Sequence, residues 1–390
     1  MSDFQHNHCD TQSPPPLLPW PCGALCAVLG SAILLTLAGH VCHWLEVRSL
    51  FSRRLSRFTR RTFTGLLVLF TVCAVAACFL LMRAHQMQPW GKSVNYTLPW
   101  FTRVETPRKP TRFLLTPPPL PASRCCPTAV DANRTLVTFI KSSVANRARR
   151  DLMRRTWTSV CHANGWRFHA VFVVGRPHNL TTRRQLAAEH RYHGDLLQYD
   201  DADGYYNMPT KVLAGMQWAA ENLRPGHFYA SADDDFFVDV AAFTERYERL
   251  AARGLTAGEP IMCLFRRGDW ELVDRVDKWK ISVQDYPSSI YPRYCHGGMY
   301  VMSVAVASRL LAEARRSPVL PFDDVWLTGI VRHRAGIDEQ RVIDMEPVAV
   351  HYGGKRGRTE EQMQDAVDAD WTCSYAKMLA NEKNFICKYR

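Results

Sequence analysis

The 390-residue chain has no internal period in the 20–50 residue range, which excludes solenoids and propellers. None of its 13 cysteines forms a Cys-x-x-Cys pair, so a structural zinc site lacks its usual ligand spacing. No Asp-x-Asp-x-Asp-Gly loop is present, which removes calcium modules of that type. The composition, 47% hydrophobic and 22% charged, is close to the globular average and excludes wholesale disorder and fibrous repeats.

What the chain has in excess is positive charge, +12 in all. Residues 46–64 carry six Arg against Glu46, and residues 83–124 carry seven Lys/Arg against Glu105. Residues 1–45 hold only Asp3 and Asp10, which leaves about +3 for residues 125–390. The excess flanks apolar segments, so membrane topology accounts for it and a nucleic-acid partner is not expected.

Residues 65–82 are eighteen uncharged residues, spanning about 27 Å as a helix, enough for a hydrocarbon core. Five arginines (53, 54, 57, 60 and 61) precede this run and only Arg83 follows it closely. The positive-inside rule puts residues 1–64 in the cytosol, 65–82 across the bilayer as a signal-anchor, and the rest in the lumen. The run lies too far from Met1 for a cleaved signal peptide. Residues 22–45 are a weaker apolar stretch, also long enough to span; if they insert, the N-terminus is lumenal and the C-terminal part stays where it was.

Nine prolines within residues 83–128 read as an extended, semi-rigid stem. Sequons at Asn95, Asn133 and Asn179 all fall on the lumenal side. Seven cysteines lie there too, and disulfides in an oxidising lumen explain them, with Cys373 and Cys387 as a local loop. Seven is odd, so one thiol is left over or joins two chains in a homodimer.

From residue 129 to 390 apolar runs of strand length alternate with helical patterns. Thr135–Ile140, His169–Gly175, Asp195–Tyr199 and His227–Ala232 read as strands, and Arg147–Thr158, Thr181–His190 and Lys211–Leu223 as helices. That alternation predicts a doubly wound α/β sheet, whose ligands sit beyond the carboxyl ends of its strands. Asp233-Asp234-Asp235 stands at such an end. Three adjacent carboxylates repel one another unless offset, and hard oxygen ligands suit Mg²⁺ or Mn²⁺ bound to a diphosphate. A solvated acidic turn or a helix N-cap is the plainer reading, but Phe236-Phe237-Val238 puts the triplet at the edge of a core.

Six ordered segments then resemble the β1,3-glycosyltransferases of family 31, the β1,3-galactosyltransferases and β1,3-N-acetylglucosaminyltransferases. They are Arg149–Trp157, Phe172–Gly175, Asp200–Lys211 (keeping Asp203, Tyr205, Asn207 and Lys211), Asp233–Val238, Lys278 through Ser303, and Asp323-Asp324-Val325 with Gly329. Pro209, Thr158 and Met299 depart from the family pattern, and Asp323 replaces its usual Glu.

The resemblance implies a GT-A type, Rossmann-like nucleotide-sugar-binding domain and an inverting reaction. UDP-galactose or UDP-N-acetylglucosamine would be the donor, Mn²⁺ or Mg²⁺ the cofactor, and a glycoprotein or glycolipid glycan the acceptor, in the Golgi membrane. Asp324 is then the candidate base, Asp323 leaving open which carboxylate reaches the acceptor hydroxyl; an N-cap for the helix Val325–Arg332 is the alternative role. Asp235, Asp233 and His351 are the implied metal ligands. Arg154, Asp203, Lys211, Asp233 and Asp234 are assigned to the donor, and Trp279, Tyr294, Gly297 and Gly298 to the acceptor or sugar. The competing expectation is an inactive, membrane-anchored glycan-binding protein or glycosyltransferase chaperone.

Overall fold

The β-branched and aromatic runs become the strands of one mixed sheet. The structure, a computed structural model, describes residues 94, 96, 98–119, 134–265, 272–345, 348–352 and 359–380. Both apolar N-terminal runs, Asn95, Asn133 and Cys387 lie outside these residues. Among the described residues no helix is long and apolar enough to cross a membrane.

The main sheet takes β1 (Phe113–Leu115), β2 (Arg134–Lys141), β4 (Trp166–Arg176), β5 (Leu196–Ala202), β6 (Phe228–Asp233), β8 (Ile261–Phe265), β9 (Cys295–Ser303) and β10 (Val342–Asp344). Their order is β1-β5-β4-β2-β6-β9-β8-β10, with the short β3 (His162–Ala163) beside β4. Strands β5, β4, β2 and β6 run parallel, while β9 is antiparallel to both β6 and β8. The expected parallel core is therefore present, extended on both sides by antiparallel strands. A separate two-stranded ladder joins β7 (Phe236–Val238) to β11 (Ala349–His351).

Successive side chains of a strand point to opposite faces, and here both faces are covered. Val137, Phe139, Val173 and Tyr229 pack on one side under α3 (Met208–Asn222), α5 (Val304–Ala314) and a π-helix, Asp324–Val331. Leu136, Ile140, Phe172 and Ala230 pack on the other under α1 (Arg147–Arg155), α2 (Leu180–His193), α4 (Val240–Ala252) and α6 (Glu360–Ala380). Each such fully buried side chain stabilises the fold by about 2 kcal/mol relative to exposure. Local sequence sets the helix starts: the Asn179 side chain caps α2 by accepting from Thr182 N–H at 2.7 Å, and Asp239 and Ser303 do the same for α4 and α5. Pro209 falls in the first turn of α3, where its missing N–H costs nothing.

Part of the proline-rich stretch is integral to this domain. A helical turn, Pro99–Thr102, buries Phe101 and sets Trp100 edge-on to Tyr286. Arg108 donates to the carbonyls of Ala314 and Ser317 at 2.7 and 2.9 Å, and β1 adds itself to the sheet edge at β5. Aromatic and arginine side chains between the prolines thus find partners on the domain.

A disulfide, Cys263–Cys295, joins neighbouring strands β8 and β9. Sequence separation hid it, since the two cysteines are 32 positions apart. Cys373 is itself disulfide-bonded.

Candidate active site

Strand β2 is the hinge of the topology. From it the chain turns one way to β4 and β5, then crosses back to β6 on the other side, and the carboxyl ends of β2 and β6 flank the crevice this opens. The last residues of the two strands, Lys141 and Asp233, are register partners.

Lys141 is buried, and its ammonium meets three acceptors: Asp233 Oδ1 at 2.9 Å, Asp323 Oδ2 at 2.8 Å and the Gly297 carbonyl at 3.3 Å. Burial alone would lower its pKa; the two carboxylates outweigh that and hold it well above the ordinary lysine value. No sequence signal singled out this residue, although a lysine closing an otherwise apolar strand was there to be read.

The adjacent carboxylates have separate partners. Asp323 is taken up by Lys141, whereas Asp324 begins the π-helix, accepts from Val325 N–H at 2.8 Å and keeps its other oxygen toward Gly297. A Cβ built on Gly297 would lie 3.1 Å from Asp324 Oδ2, so the glycine leaves that oxygen its space. Burial, reinforced by the charge of Asp323, pushes the Asp324 carboxyl up to about 7. Burial likewise raises Asp233 to about 6 despite the opposing Lys141.

The triplet points three ways. Asp234 turns inward, accepting from Ser142 Oγ at 2.8 Å and Asn146 Nδ2 at 2.9 Å, with Arg149 at 3.4 Å. It binds the loop after β2. Asp235 Oδ2 lies 3.2 Å from His351 Nε2. Burial would raise Asp235, but the imidazole and the Arg149 charge hold it below its ordinary value, and the carboxylate in turn raises His351. The pairing is built by the backbone: His351 is the register partner of Phe236, and Tyr352 N–H donates to the Asp235 carbonyl at 3.0 Å.

This pair fits two positions on a divalent cation. An octahedral ion with bonds of about 2.1 Å spaces adjacent ligands by about 3 Å, close to the observed separation. Among the described residues no group of three or more His, Cys, Asp or Glu side chains could hold a metal.

Other expected donor residues form the scaffold. Arg154, expected at the nucleotide, spends its guanidinium on Asp195, Glu189 and Asp151 at 2.7–2.8 Å. Lys211 is buried against Asp203 at 2.7 Å and the Ser142 carbonyl at 2.6 Å. Asp203 also accepts from the backbone N–H of Val144 and Gly175, locking the β2 exit loop to the end of β4. Through these contacts Lys211, Asp203 and Asp234 position the loop that carries the site, and Arg154 braces the helix beside it. Gly298 admits the Phe236 ring, which a Cβ would meet at 2.1 Å. Trp279 is half exposed with Lys278 Nζ 5.0 Å above its ring, and Tyr294 packs edge-on to Tyr291. Met299 is buried on the face away from Lys141, and the Thr158 hydroxyl donates to the Met153 carbonyl, so neither departure from the family pattern touches the cluster. Lys141, Ser142 and Arg149 are the site residues that sequence reasoning missed.

A family model described as Galactosyltransferase matches residues 148–342, half of the chain. The chain belongs to the galactosyltransferase family. Among curated relatives of this galactosyltransferase-family chain, the Drosophila melanogaster protein named beta-1,3-galactosyltransferase brn is 32% identical over 218 residues, 55% of this chain and 65% of its own length. The human acetylgalactosaminyl-O-glycosyl-glycoprotein beta-1,3-N-acetylglucosaminyltransferase is 32% identical over 56% of this chain and 57% of its own. The chain thus spans less than two thirds of these relatives' length. A solved galactosyltransferase, LgtC with donor and acceptor sugar analogs, aligns at 13% identity and a TM-score of 0.29 over 53% of this chain and 72% of that one, a likeness too slight to bear on function. All the residues of the cluster except His351 fall in the matched segment or within eight residues before it.

Proposed function

We propose that the protein is a Golgi-membrane, metal-dependent β1,3-hexosyltransferase with a GT-A type domain. It would transfer galactose or N-acetylglucosamine from a UDP-sugar to the 3-hydroxyl of a glycoprotein or glycolipid glycan, with inversion. The observation that carries this reading is the division of labour at the crevice: Asp235 and His351 pair on one side, while Asp324 presents a separate carboxylate oxygen beside Gly297.

An inverting transfer needs a proton acceptor at the attacking hydroxyl and compensation for charge developing on the leaving diphosphate. Asp324 serves the first need, since a carboxyl near 7 is matched to proton transfer at neutral pH. A bound Mn²⁺ or Mg²⁺, held by Asp235 and His351, would supply the second. Asp233, partly exposed beside them, is left with one oxygen to accept from a donor hydroxyl. Asp323 does not compete as the base, being bound by Lys141. Trp279 offers an exposed face to an acceptor sugar. The lumenal location follows from the charge asymmetry around residues 65–82.

The test is UDP release by the purified full chain, with UDP-galactose and UDP-N-acetylglucosamine against β-linked acceptor glycosides, in Mn²⁺ and in EDTA. One donor and one acceptor class should give transfer that EDTA abolishes. No release with any pair would favour a glycan-binding protein without turnover.

A further inference from the structure

Lys141 ties together three segments distant in the chain: Asp323 lies 182 residues away, Gly297 156 residues away, and Asp233 ends the neighbouring strand. An ammonium has three N–H donors, and here each has an acceptor of its own. The arrangement is more than charge neutralisation, because one of the three acceptors is an uncharged carbonyl, that of the glycine facing Asp324 Oδ2.

We propose that Lys141 is a positioning residue for the transfer step: its ammonium sets the separation between the donor-side carboxylate Asp233 and the proton-accepting Asp324. It does so by holding the side-chain carboxylate of Asp323, the residue directly before Asp324, and the carbonyl of Gly297, the glycine whose missing Cβ leaves Asp324 Oδ2 its space. The inference rests on the hexosyltransferase reading and deepens it. Without the ammonium, Asp233 and Asp323 are like charges with nothing between them, and each moves the group it is attached to: the Asp235 turn on one side, Asp324 on the other. A displacement of the order of 1 Å in a reacting group costs about 100-fold in rate while leaving ligand contacts made elsewhere in place. A lysine serving only to balance buried charge would instead be dispensable once its partner was neutralised too.

The two roles separate in a double-mutant cycle on the full chain, comparing wild type, Lys141→Met, Asp323→Asn and the pair together. The nearly isosteric methionine removes the charge and keeps the stem. Positioning predicts that each single variant lowers kcat by about 100-fold with donor KM and Mn²⁺-dependent UDP affinity within about fivefold, and that the double variant is no slower than the worse single by more than about threefold. Wild-type kcat in Lys141→Met, or in the double variant, would overturn the proposal, as would losses that simply multiply. If Lys141→Met alone does not fold, the double variant, which removes both charges at once, carries the measurement. The underlying reading is checked separately: absence of wild-type transfer, or full activity in Asp324→Asn, would overturn the hexosyltransferase assignment itself, whatever Lys141 does.

Discussion

Phe236 and His351 are register partners across the β7–β11 ladder, and their rings stack with centroids 4.6 Å apart and planes 9° from parallel. That contact delivers an imidazole from near the C-terminus to a carboxylate 116 residues earlier. Asp235 precedes Phe236, so the ladder fixes both members of the pair at once.

Removing either member should abolish metal-dependent transfer while sparing the fold, because both side chains are partly exposed at the rim. Asp235→Asn and His351→Ala are each expected to reduce Mn²⁺-supported turnover by at least about 100-fold with a melting temperature within about 3 °C of wild type. Calorimetric UDP titrations with and without Mn²⁺ check this; undiminished metal dependence in either variant would contradict the pairing.

The rate should rise with pH through neutrality. Asp324 must be ionised to accept a proton, and its carboxyl is raised to about 7 by burial and the neighbouring Asp323. Below that point the base is protonated, so kcat falls by about tenfold per pH unit. Asp324→Asn should flatten this limb and slow transfer by about 1000-fold. A pH profile of kcat, run at saturating donor, decides it.

The adjacent glycines should respond differently to alanine. At Gly297 the new methyl meets Asp324 Oδ2 at 3.1 Å, tight enough to shift the base and lower kcat by about tenfold with little loss of stability. At Gly298 it would collide with the Phe236 ring at 2.1 Å. That overpacking should cost about 3 kcal/mol or more, read as a lowered denaturation midpoint.

Acid should loosen the far end of the sheet. His169 on β4 lies among Arg167, His162 and His227, and burial first, then these positive neighbours, lowers its pKa from 6.5 to about 4. The folded state binds this proton more weakly than the unfolded chain does, so stability is lost as pH falls from 6.5 toward 4. Urea midpoints should drop across that window, and His169→Gln should drop less steeply; parallel slopes would remove His169 as the cause.

The folded unit should need its proline-rich leader. Residues 91–390 retain Phe101, Arg108 and β1, and should unfold cooperatively. Residues 129–390 lose these contacts and expose the surface around Tyr286, and should be insoluble or melt at least about 5 °C lower. Equal melting temperatures for the two fragments would show the leader to be a tether after all.

Much of this was legible in the chain itself. The strands Thr135–Ile140 and His169–Gly175, a helix over Thr181–His190 and the acidic triplet at a strand end all follow from local pattern, because side-chain period acts over a few residues. The roles within the triplet were not legible. Three identical aspartates differ only in what meets them: Lys141 for Asp233, Ser142 and Asn146 for Asp234, His351 for Asp235. The partners of Arg154 and Lys211 were hidden for the same reason, since a charged side chain in a motif reads alike whether it faces a phosphate or an aspartate.

The sequence by itself determined the alternation of strand and helix, the membrane-flanking charge and the membership that six ordered motifs signal, all properties carried by neighbours along the chain. Only the tertiary structure decided which carboxylate is restrained and which is left available, because that depends on a lysine reaching Asp323 across 182 residues and a histidine reaching Asp235 across 116.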